Sequence, residues 1–89
     1  MRKKSFEAIF NNDLENTIVV SIGDVLLVED DYEEEYNEIL IVDYVPNSAD
    51  DEFNELFKFE KLTGQDSGKC FWKPVSTLEE FNLIRHIKD

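Results

Sequence analysis

Two short apolar runs, Val25 to Val28 and Ile39 to Val42, flank the acidic decapeptide EDDYEEEYNE, which spans Glu29 to Glu38. Apolar runs of this length that are separated by a polar segment are typical of paired strands. The two predicted strands, Asp24 to Val28 and Glu38 to Val45, are apolar on both faces, which favours a central place in a sheet. The sequence therefore predicts a strand pair that carries seven carboxylates at one end.

Other parts of the middle of the chain also have strand and turn signals. Thr17 to Ile22 is rich in β-branched residues, and Leu56 to Leu62 alternates between apolar and charged residues. Thr63 to Gly68 contains two of the three glycines and predicts a hairpin connection to a returning strand over Lys69 to Lys73. Asn11 to Asp13 predicts a turn, because Asn and Asp tolerate a left-handed backbone.

The two ends of the chain carry helix signals. Ser5 to Phe10 places apolar residues at helical spacing, with a short strand as the competing interpretation. Ser76 and Glu79 have the spacing of a capping box. An apolar stripe one helix wide runs through this second segment: Leu78, Phe81, Ile84 and Ile87. Together the elements predict a single α+β domain over residues 1–89, with a C-terminal helix on a small, strongly bent antiparallel sheet or SH3-like barrel of about five strands.

Composition favours a folded, soluble domain. Apolar residues make up 42% of the 89 residues and aromatic residues 12%, which is too much burial capacity for a disordered acidic tail. The apolar runs are far shorter than the ~20 residues that span a bilayer. Met1 to Lys4 is not followed by the apolar segment of a secretion signal. We therefore expect a cytoplasmic protein.

The charge is strongly segregated along the chain. Ser5 to Phe57 contains sixteen Asp and Glu residues and no Lys or Arg, and the net charge of the chain is −12. Such a chain is repelled by DNA, RNA and anionic lipid and is attracted to cationic surfaces. The expected partner is therefore a basic protein, with no direct contact to nucleic acid or membrane.

Catalytic and metal-binding patterns are weak in this sequence. The acidic segment lacks the central glycine of a calcium loop, and one Cys with one His does not make a zinc site. Cys70 and His86 are the only candidate nucleophile and base. Cys70 alternates with aromatic residues in a predicted strand, which favours a buried and inert thiol, and His86 falls in the last turn of the predicted helix. We expect no enzyme activity, no cofactor and no metal site.

The candidate site is instead a surface for a protein partner. Extended chain rises about 3.3 Å per residue, so the six acids from Glu29 to Glu35 give one charge every ~4 Å, comparable with the ~3.4 Å between phosphates of a single DNA strand. A surface whose acids serve only solubility explains the same pattern. The candidate partner-binding residues are Glu29, Asp30, Asp31, Tyr32, Glu33, Glu34, Glu35, Tyr36, Glu38, Asp50, Asp51, Glu52 and Glu55.

Aromatic residues are candidates for desolvated contacts at this surface. Tyr32 and Tyr36 flank acids, as at an interaction edge, although tyrosines packed on their own hairpin explain them as well. Phe71 and Trp72 are adjacent, so on a strand they point to opposite faces. Either both pack in the core or one of them is exposed and anchors a partner.

The segments EDDYEEEYNE and ADDEFNE on a domain of this size are similar to the small acidic inhibitors encoded by phages and mobile elements. That group includes DNA-mimicking anti-restriction and anti-CRISPR proteins. The resemblance covers residues 29–55, rests on charge pattern and size, and implies no common fold. It implies a non-enzymatic inhibitor that occupies the basic nucleic-acid groove of a partner.

Three alternatives remain at this point. An immunity protein or antitoxin would neutralise a cationic nuclease by the same electrostatic attraction. A structural or adaptor module would bind through its aromatic edge, with acids that only solvate the surface. A hydrolase would use Cys70 and His86, and its activity would be lost on Cys70→Ala.

Overall fold

The computed structural model describes residues 4–30, 35–46 and 55–88. Within these ranges the chain forms seven strands and one 3-10 helix. The strands in chain order are β1 (Ser5–Ile9), β2 (Thr17–Ser21), β3 (Val25–Asp30), β4 (Glu35–Val45), β5 (Leu56–Lys61), β6 (Cys70–Pro74) and β7 (Phe81–Ile87), and the 3-10 helix is Val75–Glu80.

The strands form two antiparallel sheets. Strands β1 and β2 pair with each other, and the other five strands have the order β6-β5-β4-β3-β7. Strands β6 and β7 are therefore the two edges of the larger sheet, and within the described residues these edges do not pair with each other. The predicted SH3-like barrel of five strands is wrong, because the core side of an open sheet is covered by β1, β2 and the 3-10 helix.

The predicted C-terminal helix is also wrong, and with it the α+β class. One 3-10 helix covers Val75–Glu80, and strand β7 follows at once. The capping box is not formed, since the residue at the helix N-cap is Pro74 and no side chain bonds to the helix start. The segment is a strand because β3 offers it an edge: Val25 lies opposite Ile87 and Asp30 lies opposite Phe81. The apolar stripe does not form one face of this strand: Phe81 packs against the core, whereas Ile84 and Ile87 are 49% exposed.

At the N-terminus the strand interpretation is correct and the short helix is wrong. Phe6, Ala8 and Phe10 are buried, whereas Ser5 and Glu7 are exposed, which is the alternation of a strand. The hydrogen-bonding partner of this segment is β2, with Phe6 opposite Val20.

An aromatic cluster joins the two sheets. The ring of Phe6 stacks on Tyr44, with 4.8 Å between the ring centroids, and Phe6 also meets Phe57 at 5.9 Å. The cluster continues along the core face through Phe59 to Phe71. Aromatic pairs at these separations stabilise a fold by about 0.5–1.5 kcal/mol beyond the area they bury. Phe57 is buried and Phe59 is partly buried, so both face the core as predicted.

The predicted turns are present. Asn11 and Asn12 adopt positive φ angles of 54° and 52°, in the left-handed region that Asn tolerates. The connection between β5 and β6 closes where the Gly68 N–H donates to the carbonyl of Lys61 at 2.7 Å. Gly68 has a φ of 91°, which side chains disfavour. Local sequence therefore sets the hairpins correctly.

Candidate functional site

The register of β3 and β4 places the described residues of the acidic segment at one end of the larger sheet. Asp30 lies opposite Glu35, Glu29 lies opposite Tyr36, and Leu27 lies opposite Glu38. Asp30, Glu35 and Tyr36 are placed here by the backbone register of the strands. We call Glu29, Asp30, Glu35 and Glu38 the acidic end.

The acidic end contains an unfavourable pairing. Residues directly opposite in an antiparallel pair have Cβ atoms about 4.5–5.5 Å apart, and like charges there destabilise the sheet. Asp30 and Glu35 are such a pair. At such opposite positions, neutral residues are more favourable for a sheet than two acids.

Cations from the last third of the chain lie next to the acidic end. Arg85 of β7 is opposite Leu27, whose other neighbour is Glu38. Lys61 of β5 is opposite Ile39. Sequence reasoning missed this proximity, because β5 and β7 reach β3 and β4 only through long-range pairing. The absence of cations over Ser5 to Phe57 therefore does not give a cation-free surface.

The two acidic clusters leave the sheet from opposite ends. The first connects the ends of β3 and β4 between Asp30 and Glu35. The second lies between Val45 and Leu56, which are opposite each other at the far end of β4. An eleven-residue strand is about 33 Å long at ~3.3 Å per residue. The length of β4 therefore separates the two positions at which the chain leaves the sheet towards the acidic clusters.

Glu55, the last candidate acid, has a structural role. Its Oε1 accepts a hydrogen bond of 2.8 Å from the Tyr44 hydroxyl. Burial, together with this carboxylate, raises the pKa of Tyr44 to about 12. Seven of the predicted site residues lie outside the described residues: Asp31, Tyr32, Glu33, Glu34, Asp50, Asp51 and Glu52.

The candidate catalytic pair is not assembled. Cys70 is exposed on the edge strand β6, so the prediction of a buried thiol is wrong. It lies opposite Glu60, on the face of β5 that points away from Phe57 and Phe59. His86 lies on the other edge strand, β7, and not in a helical turn at the surface.

His86 belongs to a contact that sequence reasoning missed. Its Nε2 lies 2.7 Å from Asp24 Oδ2, and the side chains of His86 and Asp24 are 11% and 4% exposed. Asp24 Oδ2 also accepts from the Ser21 N–H at 2.9 Å. The Gly23-Asp24 turn after an apolar strand was visible in the sequence. No feature of the sequence indicated that Asp24 would contact His86.

A second carboxylate outside the predicted site is held by its own backbone. Asp43 Oδ1 accepts from the Tyr44 N–H at 2.8 Å and lies 3.5 Å from Lys4 Nζ. The Tyr44 N–H, with the Lys4 ammonium, lowers the pKa of Asp43 below its ordinary value. This arrangement ties the chain before β1 to β4 and offers no free reactive group.

Phe71 and Trp72 lie on opposite faces of β6, as predicted. Phe71 packs against Phe59 on the core side, with ring centroids 5.7 Å apart. Trp72 is 44% exposed and the Lys58 ammonium lies 5.7 Å from its ring centroid. An exposed tryptophan under a lysine is a suitable anchor for a protein contact.

Comparison with known proteins gives no further guide. No family model, curated protein or solved structure matches this chain. Among the described residues, no group of three or more His, Cys, Asp or Glu side chains could hold a metal ion. In the part of the chain that the structure describes, no helix is long and apolar enough to cross a membrane.

Proposed function

We propose that this protein is a non-enzymatic acidic inhibitor that occupies a basic nucleic-acid-binding groove of a partner protein. The observation that carries the proposal is the register of β3 and β4, which places Asp30 opposite Glu35 with four further residues, 31–34, between them. Three of those four residues are acidic. Fewer acids at the end of this strand pair would favour the stability of the sheet, because like charges at opposite positions repel each other.

The cost of this charge is the reason to prefer binding over solubility. The register sets Asp30 opposite Glu35, and like charges at such positions destabilise a sheet. Solubility does not require that two acids face each other across a strand pair. A basic groove supplies the opposite charge, so that repulsion in the free protein becomes attraction in the complex. Charge of this kind raises the association rate and the specificity more than the affinity.

We restrict the proposed surface to one end of the sheet, in line with the strand order. The acidic end and residues 31–34 are the contact that we propose, whereas residues 50–52 continue from the far end of β4. A small mimic of this kind enters a groove end-on with its hairpin. Tyr32 and Tyr36 belong to the same segment, and we propose that they supply the apolar part of the contact.

An immunity protein or antitoxin is a close variant of this function, in which the basic partner is a nuclease. The chain supports both variants by the same charge distribution. The identity of the partner and the gene next to this one distinguish them.

An adaptor module is the second candidate function, and exposed apolar residues favour it. Trp72, Ile84 and Ile87 are each between 44% and 49% exposed. Ile87 lies opposite Val25 and Trp72 lies opposite Lys58, on the face of the larger sheet that points away from the core. Contacts made there would be apolar and would depend little on salt.

Partner capture with matched charge variants tests the proposal. The immobilised protein is exposed to host lysate at low salt, and retained proteins are identified and then challenged with 1 M salt and with a double-stranded oligonucleotide. Glu29→Gln with Glu35→Gln removes two charges from the acidic end. Glu7→Gln with Glu15→Gln removes two from exposed positions elsewhere. The proposal expects a basic nucleic-acid-binding protein that salt and oligonucleotide both release and that only the first variant fails to hold.

Two results would contradict an acidic mimic. The first is a partner that remains bound in 1 M salt and is not displaced by oligonucleotide, which supports the adaptor. The second is an equal loss of binding in the two charge variants, because net charge alone would then explain the capture. Loss of binding on Trp72→Ala with no effect of the acidic variant would identify the adaptor face directly.

A further inference from the structure

A pocket of about 240 Å³ opens on the core side of the larger sheet, between strands β3 to β5 and the 3-10 helix. Its walls include Val28, Ile39 and Phe57 from the strands and Leu78 from the helix. All four of these residues belong to the buried core, so their side chains are held in place by packing. The floor of the pocket is therefore formed by packed core residues.

Aromatic rings give this pocket its shape. Phe57, Phe59 and Phe81 line it, and the rings of Phe57 and Phe59 stack with centroids 5.4 Å apart. Aromatic and aliphatic walls with a few polar groups are typical of sites for small organic ligands. An apolar cavity of roughly 150 Å³ holds benzene, so this volume admits one ring with a short substituent.

The polar residues that line this pocket are two lysines, Lys61 and Lys73, and two neutral residues, Asn37 and Thr77. Lys61 follows Phe57 and Phe59 on the same face of β5 and lies opposite the buried Ile39. Lys73 lies opposite the buried Phe57. Both lysines line the pocket, and Thr77 of the 3-10 helix adds a hydroxyl.

The charge at the pocket is the reverse of the charge of the molecule. The sequence has 21 Asp and Glu residues against 9 Lys and Arg residues. Among the described residues that line the pocket there are two lysines and no carboxylate. A lysine on the inward face of an edge strand can serve to prevent sheet-to-sheet association, which accounts for Lys73 on β6. It does not account for Lys61, because β5 is paired on both sides.

We propose that this pocket binds a compact aromatic carboxylate, with the ring against Phe57, Phe59 and Phe81 and the carboxylate attracted by the ammonium groups of Lys61 and Lys73, which line the pocket from opposite ends of β5. The apolar walls select the ring, and the two cations select the anion. The net charge of −12 does not prevent this binding at physiological salt, because charges more than about 8 Å away are largely screened. The pocket adjoins the acidic end, since Asp30 lies opposite Phe81, but the proposed binding does not depend on the inhibitor function.

Phenylacetate is a suitable probe, with phenylacetamide as its uncharged counterpart of equal size. Backbone amide shifts are followed by two-dimensional NMR during titration at physiological salt. We expect saturable shifts at the pocket residues with a Kd on the order of 1 mM, as is reasonable for so small a ligand. Phenylacetamide should bind about 5-fold more weakly or worse, since it lacks the interaction with the lysines. Hexanoate, an anion without a ring, tests whether the aromatic walls matter and should also bind more weakly.

Three lysine variants locate the interaction. Lys61→Gln and Lys73→Gln should each weaken phenylacetate binding by about 3- to 5-fold and leave phenylacetamide binding unchanged. Lys58→Gln is the matched control, since Lys58 lies on the same strand as Lys61 but contacts Trp72 on the opposite face. It should leave the affinity for phenylacetate unchanged.

Several results would overturn the proposal. These are an absence of saturable shifts up to about 20 mM phenylacetate, equal binding of acid and amide, or shifts that centre on Lys58 and Trp72. Retained dispersion of the amide spectrum shows that each variant is folded. If a lysine variant does not fold, the comparison of acid with amide on the unaltered protein still decides the outcome.

Discussion

His86 Nε2 and Asp24 Oδ2 lie 2.7 Å apart, in a contact that connects the last strand of the chain to the turn before β3. Asp24 is 3% exposed, and its backbone also bonds with β4, where the Ile41 N–H donates to its carbonyl at 2.9 Å. His86 is opposite Leu26, which lies two residues after Asp24 on the same face of β3. This geometry places β2, β3, β4 and β7 around one buried carboxylate.

The first prediction concerns this contact. His86→Leu keeps the apolar bulk but removes the hydrogen bond to a buried carboxylate, and should lower the free energy of unfolding by about 2 kcal/mol. Arg85→Gln, on the exposed neighbouring residue, should change it by no more than about 0.5 kcal/mol. Urea denaturation measures both. Equal stabilities for the two variants would show that the contact does not hold β7 in place.

The second prediction concerns the ionisation of Tyr44. Its pKa is raised from 10.0 to about 12, first by burial and then by the hydrogen bond to Glu55. The neutral phenol is therefore favoured in the folded state. The stabilisation is complete below pH 10 and is lost as the pH rises from about 10 towards 12, with a total on the order of 2 kcal/mol.

Ultraviolet titration of the phenolate measures this shift in a background with Tyr32→Phe and Tyr36→Phe, which leaves Tyr44 as the only tyrosine. Glu55→Gln should lower the pKa of Tyr44 only in part, since burial remains. Titration of Tyr44 at an ordinary pKa in the folded protein would contradict the described packing.

The third prediction concerns a buried oxygen. Asn37 Oδ1 is buried and has no hydrogen-bond partner among the residues that the structure describes. An unsatisfied buried polar group costs about 1–3 kcal/mol. Asn37→Val, opposite Val28 in the ladder, should therefore raise the free energy of unfolding by about 1 kcal/mol.

Thr63→Val should have the opposite effect on stability to Asn37→Val, because it removes a hydroxyl that has a hydrogen-bond partner. The Thr63 hydroxyl accepts from the Glu38 N–H at 3.0 Å, so its loss should cost about 0.5–1 kcal/mol. Thermal or urea denaturation compares the two. A loss of stability on Asn37→Val would mean that the amide makes a favourable interaction.

The fourth prediction concerns the like-charge pair at the acidic end. Glu35→Lys places a cation opposite Asp30 and should raise stability by about 0.5–1 kcal/mol at low salt, with the gain much reduced at 1 M salt. Glu7→Lys changes the net charge equally, but Glu7 lies opposite Val19, so its effect should be smaller.

The same two variants connect stability with the proposed function. Glu35→Lys should weaken binding to a basic partner while it stabilises the free protein. Glu7→Lys should have a smaller effect both on the binding and on the stability. A stabilised Glu35→Lys variant that binds its partner as tightly as before would leave the acids with a solvating role only.

The parts of the fold that are local in sequence could be predicted. Alternation along β2 and β5, the left-handed Asn11 and Asn12 and the Gly68 turn each depend on neighbours within a few residues. The charge of the acidic end also follows from composition, because no rearrangement of strands removes carboxylates from the connection of β3 and β4. The opposite faces of Phe71 and Trp72 follow from the period of a strand.

Residues 75–87 show why the remainder could not be predicted. Ser76, Glu79 and the apolar stripe satisfy the local pattern of a helix, but a strand pairs here with β3 across about sixty residues of chain, at Val25 and Ile87. Helix propensity is worth only a few tenths of a kcal/mol per residue. The ladder hydrogen bonds with β3 and the packing of Phe81 against the core exceed this preference. The exposure of Cys70 has the same cause, since the place of β6 at an edge depends on the order of all five strands.

The amino-acid sequence by itself determined the paired strands, their turns and the negative charge that they carry. Only the tertiary structure decided which end of the sheet each acidic cluster leaves from, which cations lie beside the first cluster, and that His86 meets Asp24. The physical reason is range: turns and alternation depend on contacts between near neighbours, whereas strand order and charge neighbourhoods depend on pairings between distant segments that compete for the same sheet edges.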